Sequence, residues 1–167
     1  MTAPATSALF CLAVCAALAG ASPPCLADAP PAVTKYVAAK DLAAAVATAN
    51  GGLVAREVAA DPSATTLIIH RDASGEVEVH TVLNDIFVVE SGHATVLVGG
   101  HVNGNHAVSP TEWRGGEIVG GERHELAAGD LLLIPAGEPH QCILKPGDTF
   151  LYLTIKTPSA AAASTGR

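Results

Sequence analysis

From position 53 onward the chain alternates short apolar runs with breaks made of Gly, Asp, Asn and Pro. LVAREVA, TTLIIHR, GEVEVH, DIFVVE, HATVLVGG, DLLLIP, HQCIL and FLYLTIK are rich in β-branched residues and too short for ordinary helices. Runs of this kind at close spacing predict an all-β barrel or sandwich. Upstream, KDLAAAVATAN is Ala-rich and predicts one short helix packed outside the strands, with Asp41 as N-cap and Asn50-Gly51-Gly52 as the stop. GGHVNGNHAVSPTEWRGGEIVGG, between Gly99 and Gly121, is a Gly-rich connection too long to be plain scaffold. The ending, TPSAAAASTGR, has no core-forming pattern and is read as a mobile tail.

The first 27 residues change the picture, because they hold no Lys, Arg, Asp or Glu. Within them SALFCLAVCAALAGA has the length of a signal-peptide core and is short for a bilayer span. Small-residue cleavage sites follow at Ala21 and at Ala27, although no Lys or Arg precedes the apolar run. An uncleaved anchor or a disordered extension is the alternative. The expected organisation is therefore a signal peptide over 1–27, a lead-in and helix over 28–52, a β-barrel over 53–157 and a tail over 158–167. Cleavage after Ala27 would leave Cys142 as the single cysteine, so no intrachain disulfide is expected. The 167 residues carry a net charge of −7, all of it in the mature part, which argues against nucleic acid or anionic membrane as partner. An exported protein, periplasmic or secreted and without stable membrane association once cleaved, is expected.

Alternation assigns the polar residues of the strands to faces. In GEVEVH, Glu76, Glu78 and His80 share one face and Val77 and Val79 the other. Asp85 aligns with Phe87 and Val89, so it should point inward, where a carboxylate is costly unless it is paired or bound to a metal. In GDLLLIPAGEPH, Pro135, Gly137 and Pro139 force a tight turn, and His140 sits just past that corner. Cys142 should share the inward face with His140 and is read as a small buried hydrophobe. His124 is placed either at the cavity mouth or on a solvent-facing strand. His70 alternates with Ile68 and has an inward position open to it. His93, His101 and His106 are read as exposed, and Trp113 as packing the long connection onto the barrel.

With those residues in place, the chain resembles the cupin superfamily. The stretch Gly129, Pro135, Gly137, His140 matches the second cupin motif, G-x5-P-x-G-x2-H-x3-N, with Leu144 in place of the final Asn. Glu78, His80, Asp85 and Gly92 resemble the first motif, G-x5-H-x-H-x3,4-E-x6-G. Here Glu78 stands in the first His slot, Asp85 in the Glu slot and Asp72 at the opening Gly. The resemblance implies a single jelly-roll β-barrel holding one divalent metal, Fe, Mn or Zn, on His80, Asp85, His140 and Glu78. Asp85 is shorter than Glu, and the longer Glu78 could compensate. A Glu78 left off the metal would serve as general base, and Phe87, His124 and Cys142 would line the substrate pocket. A barrel that has lost its metal, with Glu78 paired to a cation and the histidines hydrogen-bonded, is the alternative at the site.

Three functions follow from that resemblance. The first is a metal-dependent enzyme on a small oxygenated molecule, of dioxygenase, decarboxylase or isomerase type. The second is a non-catalytic binder of a sugar or phenolic. The third is a structural barrel pairing as a homodimer through strand edges. The sequence offers neither a nucleophile elbow nor a phosphate-cradling loop, and nothing that resembles a helix-turn-helix.

Overall fold

A computed structural model describes residues 34–47 and 52–160. The signal peptide expected at 1–27 with Cys11, Cys15 and Cys25, most of the lead-in, Asn50-Gly51 and residues 161–167 lie outside the described residues. Among the described residues no helix is long and apolar enough to cross a membrane.

Helix α1 (Ala39–Val46) packs against the first two strands, β1 (Leu53–Asp61) and β2 (Ala64–Arg71), without fully burying any residue. Asp41 is not its N-cap. The backbone is extended at Ala38, whose carbonyl accepts from the Asp41 N–H at 2.9 Å, so Asp41 already lies in the first turn. Its charge there suits the positive end of the helix.

The remaining strands are β3 (Glu78–His80), β4 (Leu83–Val98), β5 (His101–Asn103), β6 (His106–Ser109), β7 (Glu112–Arg114) and β8 (Glu117–Val119). After them come β9 (Glu122–Ala127), β10 (Leu131–Ile134), β11 (His140–Ile143) and β12 (Phe150–Pro158). DIFVVE and HATVLVGG, read above as separate strands, are one continuous β4. It bends at Gly92, whose φ of +76° is a conformation L side chains rarely adopt. A Cβ at that position would strike the Thr149 carbonyl. The first half of β4 pairs with β12 and β10, the second with β9 and β11. One strand thus belongs to two sheets, ordered β1-β2-β12-β4-β10 and β9-β4-β11-β3-β7-β6, which face each other as a jelly roll.

Between them lies a core of Ile69, Phe87, Val89, Ala94, Val96, Leu126, Ile134, Cys142, Leu144, Phe150 and Tyr152. Phe87, Tyr152 and Phe150 stack in sequence with ring centroids 4.7 and 4.6 Å apart. The Gly-rich connection is not loop but four short strands, with β5 and β8 paired to each other and β7 joined to β3. Trp113 does not pack that segment down. It is 39 % exposed, because in β7 it alternates with Glu112 and Arg114, which line the interior. His70 likewise turns away from the cavity that Ile69 and Arg71 line.

Candidate metal centre

Register brings the site together. His140, first residue of β11, lies directly opposite Glu78 of β3, and Glu78 lies directly opposite Arg114 of β7. Directly opposed residues share a face of the sheet, so this row aims one imidazole, one carboxylate and one guanidinium into the space between the sheets. His80, two residues beyond Glu78, shares that face. The corner that precedes His140 is tied down on both sides. Gly137, at φ +88°, donates its N–H to the His80 carbonyl at 2.8 Å, and Ala136 donates to Asn84 Oδ1 at 3.0 Å. Pro139 accepts from the Gly99 N–H at 2.8 Å. One rigid turn therefore positions both histidines.

Their rings lie 5.5 Å apart between centroids, tilted by 48°, and both residues are buried. His140 Nδ1 lies 3.2 Å from the Glu138 carbonyl, which can only accept. Nδ1 therefore carries the proton, and the Nε2 lone pair faces inward. His80 Nε2 is buried without a hydrogen-bond partner, although Glu78 Oε2 stands 3.4 Å away and Asp85 Oδ2 3.5 Å away. Ligating atoms of Glu78, His80 and His140 all fall within 4.8 Å of one another. Burial holds the His140 imidazole below its ordinary pKa, hence neutral and free to ligate. Burial would raise the Glu78 pKa, but the nearby His80 imidazole and the guanidinium charges of Arg114 and Arg71 outweigh it and bring it to about 2. An orphaned buried imidazole nitrogen, a second imidazole of fixed tautomer and an ionised carboxylate are donors that fit one divalent cation.

The other sheet supplies the counter-wall. Asp85 of β4 lies opposite Lys156 of β12, whose Nζ reaches both carboxylate oxygens at 2.7 and 2.8 Å. Asp85 Oδ2 is also 3.6 Å from His140 Nε2. Arg71 donates from Nε to the Tyr152 hydroxyl at 3.0 Å and from Nη2 to Glu78 Oε1 at 3.3 Å. Arg114 Nη1 reaches the same Glu78 oxygen at 3.2 Å. Both arginines thus sit on Oε1, leaving Oε2 toward His80. Gly75 packs against the Arg71 guanidinium so closely that a Cβ would fall 2.5 Å from Nη1.

The cavity between these walls has a volume of about 180 Å³, and Phe87 and Cys142 are among its lining residues. His124 is not among its lining residues. It stands on β9 opposite Val96, on the far side of β4 from β11, which separates it from the cavity. Burial pushes the Cys142 thiol up to about 11, and its Sγ lies 4.0 Å from the Tyr152 hydroxyl.

Comparison with known proteins agrees with this architecture. A family model for the AraC-like ligand binding domain matches residues 119–167. A double-stranded β-helix protein from Klebsiella pneumoniae superposes with a TM-score of 0.51 at 19% identity, covering 72% of this chain and 89% of that one. The chain has the double-stranded β-helix fold of the cupins. The BH2720 protein of Bacillus halodurans shares the fold with a TM-score of 0.52, at 16% identity over 74% of this chain and 81% of that one. The polyketide cyclase RemF of Streptomyces resistomycificus does so with a TM-score of 0.50, at 18% identity over 75% and 80%. No curated protein matches significantly.

Set against the cupin motif that the sequence resembles, the site departs in an ordered way. Glu78 replaces an imidazole and is steadied by two arginines, while Asp85 in the Glu slot is engaged by a lysine. Arg71, Arg114, Tyr152 and Lys156 were absent from the sequence-based site. The signal that could have found Arg71 is its alternation with Ile69, and for Lys156 its alternation with Tyr152 and Thr154; Arg114 lay in what read as a loop.

Proposed function

We propose that this cupin-fold protein binds one divalent metal through Glu78, His80 and His140 and acts on a small oxygenated molecule, as a dioxygenase, decarboxylase or isomerase does. The observation that carries the reading is the buried, partnerless Nε2 of His80 beside an inward-facing His140 Nε2 and an ionised Glu78. A purely structural imidazole at that depth would be hydrogen-bonded. A divalent ion with open positions supplies Lewis acidity toward a bound carbonyl, or a seat for an oxidant.

The chain's own residues prepare the place. Glu138 fixes the His140 tautomer, Arg71 and Arg114 hold Glu78 ionised and oriented, and the Phe87–Tyr152 stack closes the floor against water. A carboxylate whose pKa is near 2 is a weak base at neutral pH, which favours Glu78 as ligand over general base. Asp85, held by Lys156, is proposed as an outer partner of the two imidazoles. Export after removal of residues 1–27, and pairing of two chains through strand edges, belong to the same proposal. Leu131 and Leu133, exposed on β10, which among the described residues pairs only with β4, support the pairing.

Water-proton relaxation in the presence of Mn(II) tests the reading. Stoichiometric binding with at least one exchangeable water on the ion is expected. Absence of binding, or an ion closed to water, would overturn it. The match to the AraC-like ligand binding domain favours a second reading, a cupin that holds its ligand without turnover. A ligand recovered unchanged from the purified protein, with no metal-dependent turnover, would select that one.

A further inference from the structure

Two buried side-chain polar atoms lack a hydrogen-bond partner among the described residues: Nε2 of His80 and the Thr154 hydroxyl. The first is accounted for by the metal. The second is not. Thr154 lies on the inward face of β12 between Tyr152 and Lys156, is 1 % exposed, and lines the same cavity. A buried hydroxyl without a partner costs roughly 1–3 kcal/mol, and Val would fill the same space without that cost. Its neighbour Lys156 spends two N–H groups on Asp85 and has a third to give.

We propose that Thr154 and Lys156 form the wall that binds the carboxylate of a small organic acid. This rests on the metal reading of the previous section. Charge supplies the reason for an acid rather than a neutral alcohol. The cavity lining holds three cations, Arg71, Arg114 and Lys156, against four carboxylates, Glu76, Glu78, Asp85 and Glu112. Because imidazoles ligate in their neutral form, one divalent ion held by both histidines turns that balance to a single net positive charge, which a monoanion cancels. An uncancelled charge beside the buried groups at the floor of this partly open cavity is costly, so a carboxylate is preferred over its neutral amide. The hydroxyl donates to one carboxylate oxygen and the ammonium meets its charge. The cavity volume of about 180 Å³ restricts the acid to a few carbons beyond the carboxylate, or to one ring.

The test uses the zinc-loaded full chain and three probe pairs: acetate, lactate and benzoate, each against its amide, with binding read by NMR titration. At least one acid should bind about tenfold tighter than its amide. Thr154→Val should remove most of that preference without lowering the melting temperature, and Thr154→Ser should keep it. The pair Asp85→Asn with Lys156→Gln, which removes both charges together, should also lose it. Equal binding of every acid and amide, or an unchanged preference in Thr154→Val, would overturn the proposal. A melting temperature that falls in Thr154→Val would overturn it too, since the hydroxyl would then be structural. Zinc uptake by the wild type separates the two readings. Zinc bound without acid preference removes only this one, whereas no zinc uptake removes both, because the lining alone is then net negative.

Discussion

At Glu78 three cationic or imidazole neighbours converge on one carboxylate, and the consequence is measurable. Its pKa, lowered from 4.5 to about 2 on folding, makes a stabilising contribution that is complete above the unfolded value and lost as pH falls through the folded one. The expected size is about 3 kcal/mol. Urea denaturation of metal-free protein should show stability dropping between pH ~4.5 and ~2, with a shallower slope in Glu78→Gln. Equal slopes would show that Glu78 is not held ionised. Cys142 gives a second residue-level expectation. Buried and raised to about 11, its thiol should resist iodoacetamide at pH 8 in the folded protein and react on unfolding, as read by peptide mapping. The two histidines were legible in sequence because a Pro-Gly-Pro corner and a strict alternation placed them. Lys156 and the arginines were not, since a cation at a strand's inward position looks like solvent-facing charge until its carboxylate partner is known.

Among the elements, β4 carries the architecture, and it is where pattern reading divided what folding keeps whole. Ser91-Gly92 looks like a turn between strands, yet Gly92 bends β4 without breaking its pairing to β12, which absorbs the bend by a register shift between Leu151 and Tyr152. Gly92→Ala combines a left-handed backbone with a collision against the Thr149 carbonyl, and should destabilise the domain by about 3 kcal/mol. Chemical denaturation would measure it, and a loss below the error of the fit would refute the pivot role. The excursion from Gly99 to Gly121 is the converse case. Its glycines read as loop, but they turn between short strands, and one of these delivers Arg114 onto Glu78. Short strands with alternating small and charged residues have too little apolar pattern to be recognised from sequence.

For the whole molecule, the fold was legible because eight short apolar runs leave little besides a closed β architecture, and the second cupin motif survives nearly intact. The ligand set was less so, since which carboxylate meets the imidazoles depends on which cation holds the other. Because Lys156 occupies Asp85, Asp85→Asn should weaken metal retention less than His140→Ala, as read by competition with a chelator. An equal or larger loss in Asp85→Asn would make it a direct ligand. Metal at about a hundredfold excess over its Kd should stabilise the fold by about 2.7 kcal/mol.

The most direct measurement is elemental analysis of protein purified without chelator, for the wild type, His80→Ala and His140→Ala. Close to one divalent ion per wild-type chain is expected, with near-complete loss in each folded variant. Full occupancy retained in both variants, or none in a metal-replete wild type, would contradict the assignment of these two imidazoles to one ion.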